Sequence, residues 1–326
     1  MKEKSPPALA HPLPPDVSLS HIEQAYAIID PVFRDSPQFE AESLSRQFGC
    51  SLFVKVETAN PIRSFKARGA QFFVSQLRER VSLTCASAGN FGQGMAWAAR
   101  QRGFPITVFT PVDASPMKIE RMRALGAEVR TVGADADDAI AAANRFAEDT
   151  GALVVKDGRE AAIAEGAGTI GLELLRVPAF DAVVLPLGDG GLISGVGTWI
   201  KAHRPETRVI GVSPSGSPAM QRSLQQRKVV SAPCATIADA LAIKTPFAEA
   251  LSRLQRVMDD LVTVEDEALI ETMRLAHREL GIVLEPGGAA GLAAVSAHQR
   301  LFADQRVAVL LTGGNLSESQ MRQWLG

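Results

Sequence analysis

The stretch VKVETANPIRSFKARGA, residues 54–70, reads as two elements with a sharp break between them. SLFVKVE (51–57) has a strand pattern, and KARGAQFFVSQL (66–77) has the period of a helix. The break falls at Asn60-Pro61, a pair that starts turns. Lys66 stands at the first helical position, beside Phe65 and just past a strand end. A cation is poorly placed there, because the helix dipole presents its positive end. An ordinary solvated lysine is the competing reading, and the rest of the chain must decide.

The same alternation continues downstream. LTCASA (83–88) leads into FGQGMAWAARQRG, and ITVFTP (106–111) into SPMKIERMRALG (115–126), with Ser at the N-cap and Gly at the end. EVRTVG, ALVVKD, AVVLPLG, RVIGVSP and RVAVLLTGG read as further strands between helical stretches, and EALIETMRLAHREL and GGAAGLAAVSAHQR as late helices. Short Val/Ile/Leu-rich strands alternating with amphipathic helices predict an α/β fold with parallel sheets covered on both faces. In such sheets ligands bind beyond the carboxyl ends of the strands. Three of those ends are rich in small and polar residues: SAGNFGQG (87–94), PLGDGG (186–191) and LLTGGN (310–315).

Composition narrows the function. The chain has 326 residues and a net charge of −2, with no basic block, so nucleic acid and membrane surfaces are poor partners. No apolar run reaches the length of a membrane span. MKEKSPPALAHPLPPD lacks the apolar core of a secretory signal and reads as a loose arm. Cys50, Cys85 and Cys234 are few, odd in number and far apart, which suits a reducing cytosol rather than a disulfide framework.

Gly188, Asp189, Gly190 and Gly191 lie between a strand and the helical LISGVGTWIKAH. A glycine-rich turn at a helix N-terminus offers backbone N–H groups to an anion. Read alone, it fits a phosphate ester or a tight turn with no ligand, and it matches neither the dinucleotide nor the Walker pattern. A lysine able to form a Schiff base with an aldehyde, together with a separate phosphate cradle, makes a pyridoxal phosphate site a physical possibility.

SFKARGA, SAGNFGQG, EGAGTIGLELL, GDGGLISG, TIADALAI, EPGGAAGLAA and LLTGGN occur in the order seen in pyridoxal-phosphate enzymes of the tryptophan-synthase β fold, fold type II. From about residue 20 to the end, the chain most resembles the threonine/serine dehydratase and serine racemase branch. The resemblance implies two open, twisted, mainly parallel sheets flanked by helices. It implies a large cofactor-binding domain (1–71 and 161–326) and a smaller inserted domain (72–160) that closes over the substrate. Lys66 matches the lysine that holds pyridoxal 5′-phosphate, and Phe65 the residue packed on its ring. Gly188, Asp189, Gly190, Gly191 and Leu192 match the phosphate loop. Thr312 matches the hydroxyl residue facing the pyridine nitrogen. Ser87, Ala88, Gly89 and Asn90 match the loop for the substrate carboxylate, Asn90 also reaching the ring hydroxyl. Asp239 and Glu285 match acidic residues lining the cleft.

The implied activity is β-elimination from a β-hydroxy amino acid such as L-threonine or L-serine, giving a 2-keto acid and ammonia, in a cytoplasmic homodimer or larger homo-oligomer. A racemase and a β-replacement synthase are the alternatives on the same fold. A retired scaffold that only binds a small ligand is the non-enzymatic one, and intact Lys66 argues against it. A hydroxyl at Thr312 cannot hold a pyridine nitrogen protonated as an aspartate would, which suits elimination better than transamination. Three departures from the pattern stand out: Asp189 replaces a glycine, Phe91 a histidine, and Ser213 a glutamate of metal-activated relatives, so no metal is expected. LSESQMRQWLG closes the sequence without the regulatory domain of biosynthetic threonine dehydratases, which leads to the expectation of a catabolic or specialised enzyme.

Overall fold

The computed structural model describes residues 17–326. The reading of a loose N-terminal arm falls on residues 1–16, outside the described residues.

Among the described residues, ten strands form two sheets. In chain order they are β1 (Gln38–Glu40), β2 (Ser51–Val56), β3 (Leu83–Ala86), β4 (Ile106–Thr110), β5 (Glu128–Thr131), β6 (Leu153–Val154), β7 (Ala182–Pro186), β8 (Arg208–Pro214), β9 (Asp260–Val264) and β10 (Arg306–Leu311). The larger sheet has the order β1-β2-β10-β7-β8-β9, and the smaller has the order β5-β4-β3-β6. Only β1 runs antiparallel, against β2; every other pairing is parallel. This agrees with the α/β fold with mainly parallel sheets read from the sequence.

Apolar residues run without a break through β7, and through β10 after Arg306, because both faces of the sheet are covered. Val184, Val307, Val309 and Leu311 turn to one face, where Leu292 and Val295 of the helix Pro286–Ala297 pack. Val183, Leu185, Ala308 and Leu310 turn to the other, against Ile170, Ile193 and Val196 of the helices Ala161–Leu174 and Gly191–His203. The period of two along a strand makes this division. Two strands went unread in the sequence. β1 has three residues, too few to show a period, and β9 is a partly exposed edge strand.

The last strand, β10, inserts between β2 and β7. Thr312, at its carboxyl end, is therefore flanked by the segment leaving β2 toward Lys66 and by the glycine-rich turn after β7. Among the described residues no helix is long and apolar enough to cross a membrane.

Candidate active site

The break at Asn60-Pro61 is a loop organised by one side chain. The Asn60 amide nitrogen donates to the carbonyls of Glu57 (2.8 Å) and Ser64 (3.2 Å), and its oxygen accepts from the N–H groups of Ile62 and Ser64. The loop is tied to the end of β10: the Glu57 N–H donates to the Leu311 carbonyl and the Phe65 N–H to that of Thr312. The helix Lys66–Ser75 starts immediately after this anchor. A lysine opens the helix because the anchored loop and the packing below it set the chain there, against the dipole preference.

The base of that helix is held by close backbone contact. A Cβ on Gly94 would lie 2.9 Å from the carbonyl carbon of Lys66, so only glycine lets the helix Asn90–Arg102 approach. Below it, the fully buried Arg68 donates to Glu57 (Nε–Oε2 2.9 Å, Nη2–Oε1 2.9 Å) and to Glu173 (Nη1–Oε1 2.6 Å, Nη2–Oε2 3.0 Å). Lys55 completes this ionic group with a 2.6 Å bond to Glu173.

The Lys66 amine projects from this platform. It pairs with Asp157 and lies 4.9 Å from the centre of the Phe65 ring. It lines two adjoining spaces. One is a cleft of about 230 Å³ that also takes in Ser87, Ala88, Gly89, Asn90, Phe91, Lys118, Asp157, Asp189 and Asp239. The other is a narrower cavity bounded by Phe65, Asn90, Gly188, Asp189, Gly190, Gly191, Leu192, Glu285 and Thr312. Every site residue expected from the sequence borders one or both spaces.

Gly190 caps the helix Gly191–His203 with φ of +89°, in the region where a side chain is strained. The N–H groups of the helix's first turn have no partner within the helix and face an anion favourably. Valine at this position would also meet Leu254 and Ala250, at 3.1 and 3.3 Å from its Cβ. We expect Gly190→Val to weaken phosphate-ester binding at least about tenfold, the equivalent of roughly 1–2 kcal/mol of left-handed strain. A fluorescence titration with pyridoxal phosphate measures this, and an unchanged dissociation constant would rule it out.

At the opposite wall, Asn90 is fixed at both ends of its amide. Its nitrogen donates to Glu285, and its oxygen accepts from Asn315 (2.7 Å). Asn315 also donates to the Ile62 carbonyl (2.8 Å) and accepts from Arg121. The Ser87 hydroxyl oxygen accepts from the N–H groups of Gly89 (3.2 Å) and Gly92 (2.9 Å), so it shapes its own loop. Lys118 reaches over that loop, 2.6 Å from Asp239 and 3.7 Å from Glu285. Burial pushes the Glu285 carboxyl above its usual range, with Lys118 opposing and Asp239 adding to the rise. Ser213 stands apart. It is buried, and its hydroxyl donates to the Leu187 carbonyl at 3.1 Å.

Asp157, Lys118, Arg121 and Asn315 escaped the sequence reading. Signals for three of them were present. Asp157 ends the strand-like ALVVKD, Asn315 ends LLTGGN, and Lys118 stands in the first turn of its helix, the same electrostatic oddity as Lys66.

The donors fit pyridoxal phosphate: a primary amine for the aldehyde, an N–H cradle for the phosphate, and a buried hydroxyl residue, Thr312, on the wall between them. The comparisons agree. The family model described as pyridoxal-phosphate dependent enzyme matches residues 29–313. L-threonine ammonia-lyase of Thermotoga maritima is 34% identical over 307 residues, covering 92% of this chain and 76% of that protein. The crystal structure of the T.th. threonine deaminase superposes with a TM-score of 0.87 at 34% identity, over 92% of this chain and 99% of that one. Maize serine racemase gives a TM-score of 0.86 at 29% identity, over 94% and 96%. With a family model spanning most of its length and a lysine set between an N–H cradle and an open cleft, this chain belongs to the pyridoxal-phosphate dependent enzymes of fold type II.

Proposed function

We propose that the enzyme is a dehydratase that eliminates water from a β-hydroxy amino acid, L-threonine or L-serine first, and releases a 2-keto acid and ammonia. The observation that carries this reading is that Lys66 borders both the cofactor cavity and the substrate cleft. The two relatives named for threonine deamination, each 34% identical, support it.

Bound pyridoxal phosphate supplies an aldehyde that takes up the substrate amine and a conjugated ring that spreads negative charge. The chain's residues do the rest. The loop 87–90 receives the substrate carboxylate. Asn90, fixed by Glu285 and Asn315, orients the ring edge. Thr312, on the wall of the narrower cavity, would offer a hydroxyl to the pyridine nitrogen. The Lys66 amine, facing the cleft, would remove the α-proton. The Lys118–Asp239 ion pair, at 2.6 Å, ties the small sheet's side of the cleft to the large one's. Residues 72–160 are taken as the closing domain. A cytosolic homodimer with a catabolic role completes the proposal; the free cysteines Cys50, Cys85 and Cys234 agree with a reducing compartment. A panel of β-hydroxy amino acids scored for keto acid and ammonia tests the reaction, and silence across the panel would refute it.

The racemase alternative requires a proton donor on the face of the substrate opposite Lys66. By the resemblance, that donor would stand at position 88, where alanine has no exchangeable proton. The neighbouring Ser87 hydroxyl is engaged with its own loop, and a general acid must lie within hydrogen-bond reach. We expect keto-acid release from L-serine to outpace inversion. Chiral chromatography run beside a coupled dehydrogenase assay checks this, and faster inversion would favour the racemase.

A further inference from the structure

Asp189 replaces a glycine of the phosphate loop, and its side chain stays in the site. It borders both the cleft and the cofactor cavity. It packs on the turn at Asp157-Gly158 so closely that a Cβ on Gly158 would lie 2.6 Å from the Asp189 Cβ. The charged groups it senses are the Asp157 carboxylate and the Lys66 ammonium. From the helix Ala248–Val257, Arg253 donates to the carbonyls of Gly158 (3.2 Å) and Arg159 (3.0 Å) and so steadies that turn.

Two carboxyl groups thus share one ammonium. Burial and the charge of Asp157 push the Asp189 carboxyl up to about 7, with Lys66 opposing. A phosphate held in the loop would add negative charge beside it, which favours a proton on Asp189. A carboxylic acid beside the bond to be broken is suited to give that proton away.

Resting on the dehydratase reading, we propose that Asp189 is the acid that protonates the departing β-hydroxyl. The Lys66 amine takes the α-proton as the Cα–H bond breaks, and that electron pair forms the Cα–Cβ double bond. The Cβ–O bond breaks with its pair passing to oxygen, which takes the Asp189 proton and leaves as water. Lys66 is then an ammonium and Asp189 a carboxylate. The proton returns to Asp189 by way of Asp157, which pairs with Lys66 and adjoins Asp189.

Two measurements on wild type, Asp189→Asn and Asp189→Gly test this. The first needs no turnover. Between pH 7 and 9, pyridoxal phosphate affinity of the wild type should fall relative to both variants, approaching about tenfold per pH unit, the slope of one bound proton. The second compares leaving groups. Both variants should lose about 10²–10³-fold in kcat/KM for L-serine. For β-chloro-L-alanine, whose chloride leaves without a proton, the loss should be less than about tenfold. Asp189→Gly restores the glycine of the family loop and guards against a folding defect in Asp189→Asn. Parallel pH profiles for binding, or equal losses on the two substrates, overturn the acid role alone. A wild type that processes the chloro substrate but no β-hydroxy amino acid overturns the dehydratase reading and the acid role with it.

Discussion

Lys66→Ala should abolish turnover and leave pyridoxal phosphate bound, if at all, without its covalent anchor. Two losses coincide. The amine is the group suited to join the cofactor's aldehyde, and it also faces the cleft, where the proposed reaction needs a base. Removing a positioned base costs about 10²–10⁴-fold by itself, and loss of the anchor lowers occupancy further. The visible absorbance of the wild-type protein should disappear from the variant. Borohydride reduction followed by peptide mapping should place the label on Lys66. Lys55 is the informative control, because it is buried in an ion pair with Glu173 below the site. A label on Lys55, or a variant that keeps its absorbance and rate, would overturn the assignment.

The second large effect concerns stability rather than chemistry. Arg68→Met should destabilise the enzyme by about 3–5 kcal/mol, the usual cost of removing one partner from a buried ionic group. Four hydrogen bonds to Glu57 and Glu173 vanish together, and Lys55 alone remains to face two carboxylates. Against a typical total of about 5–15 kcal/mol, such a loss is large. The same group makes stability depend on pH. Burial alone would raise the Glu173 carboxyl, but Arg68 and Lys55 outweigh it and hold the group below its usual range. Its contribution is therefore complete above the unfolded carboxylate pKa and is lost as pH falls through the lowered folded value. Denaturant midpoints at neutral and acid pH measure both statements. An Arg68→Met midpoint equal to wild type would show that the carboxylates find other partners. Because Arg68 lies two residues from Lys66, the folded fraction of the variant should also bind cofactor less tightly.

Much of the site is legible as a string of residues. Lys66 is conspicuous because a cation at a helix start contradicts the dipole, and the glycine-rich turn because it offers N–H groups to an anion at a helix start. Both signals are local. Apolar periodicity separates strands from helices for the same reason: the backbone repeats every 2.0 or 3.6 residues whatever packs against it. The α/β class follows, as does the rule that function gathers at the carboxyl ends of strands.

The order of strands is not local. Nothing in RVAVLL says that the last strand enters between β2 and β7, yet that insertion sets Thr312 between the segment leading to Lys66 and the glycine-rich turn after β7. Sequence separation hides partners in the same way. Asp157 meets Lys66 across 91 positions, and Glu285 meets Asn90 across 195. Asp189 shows the division within one residue. Its departure from glycine is plain in the sequence, and an anion beside a phosphate must meet a donor, point away or take up a proton. The tertiary structure decides among these. The turn at Asp157-Gly158 pins the side chain beside a second carboxylate and the Lys66 ammonium. The sequence by itself determined which groups are available and which elements carry them, because those depend on neighbours along the chain. Only the packed sheets decided which charges face one another, because Coulomb energy depends on distance through space and on burial.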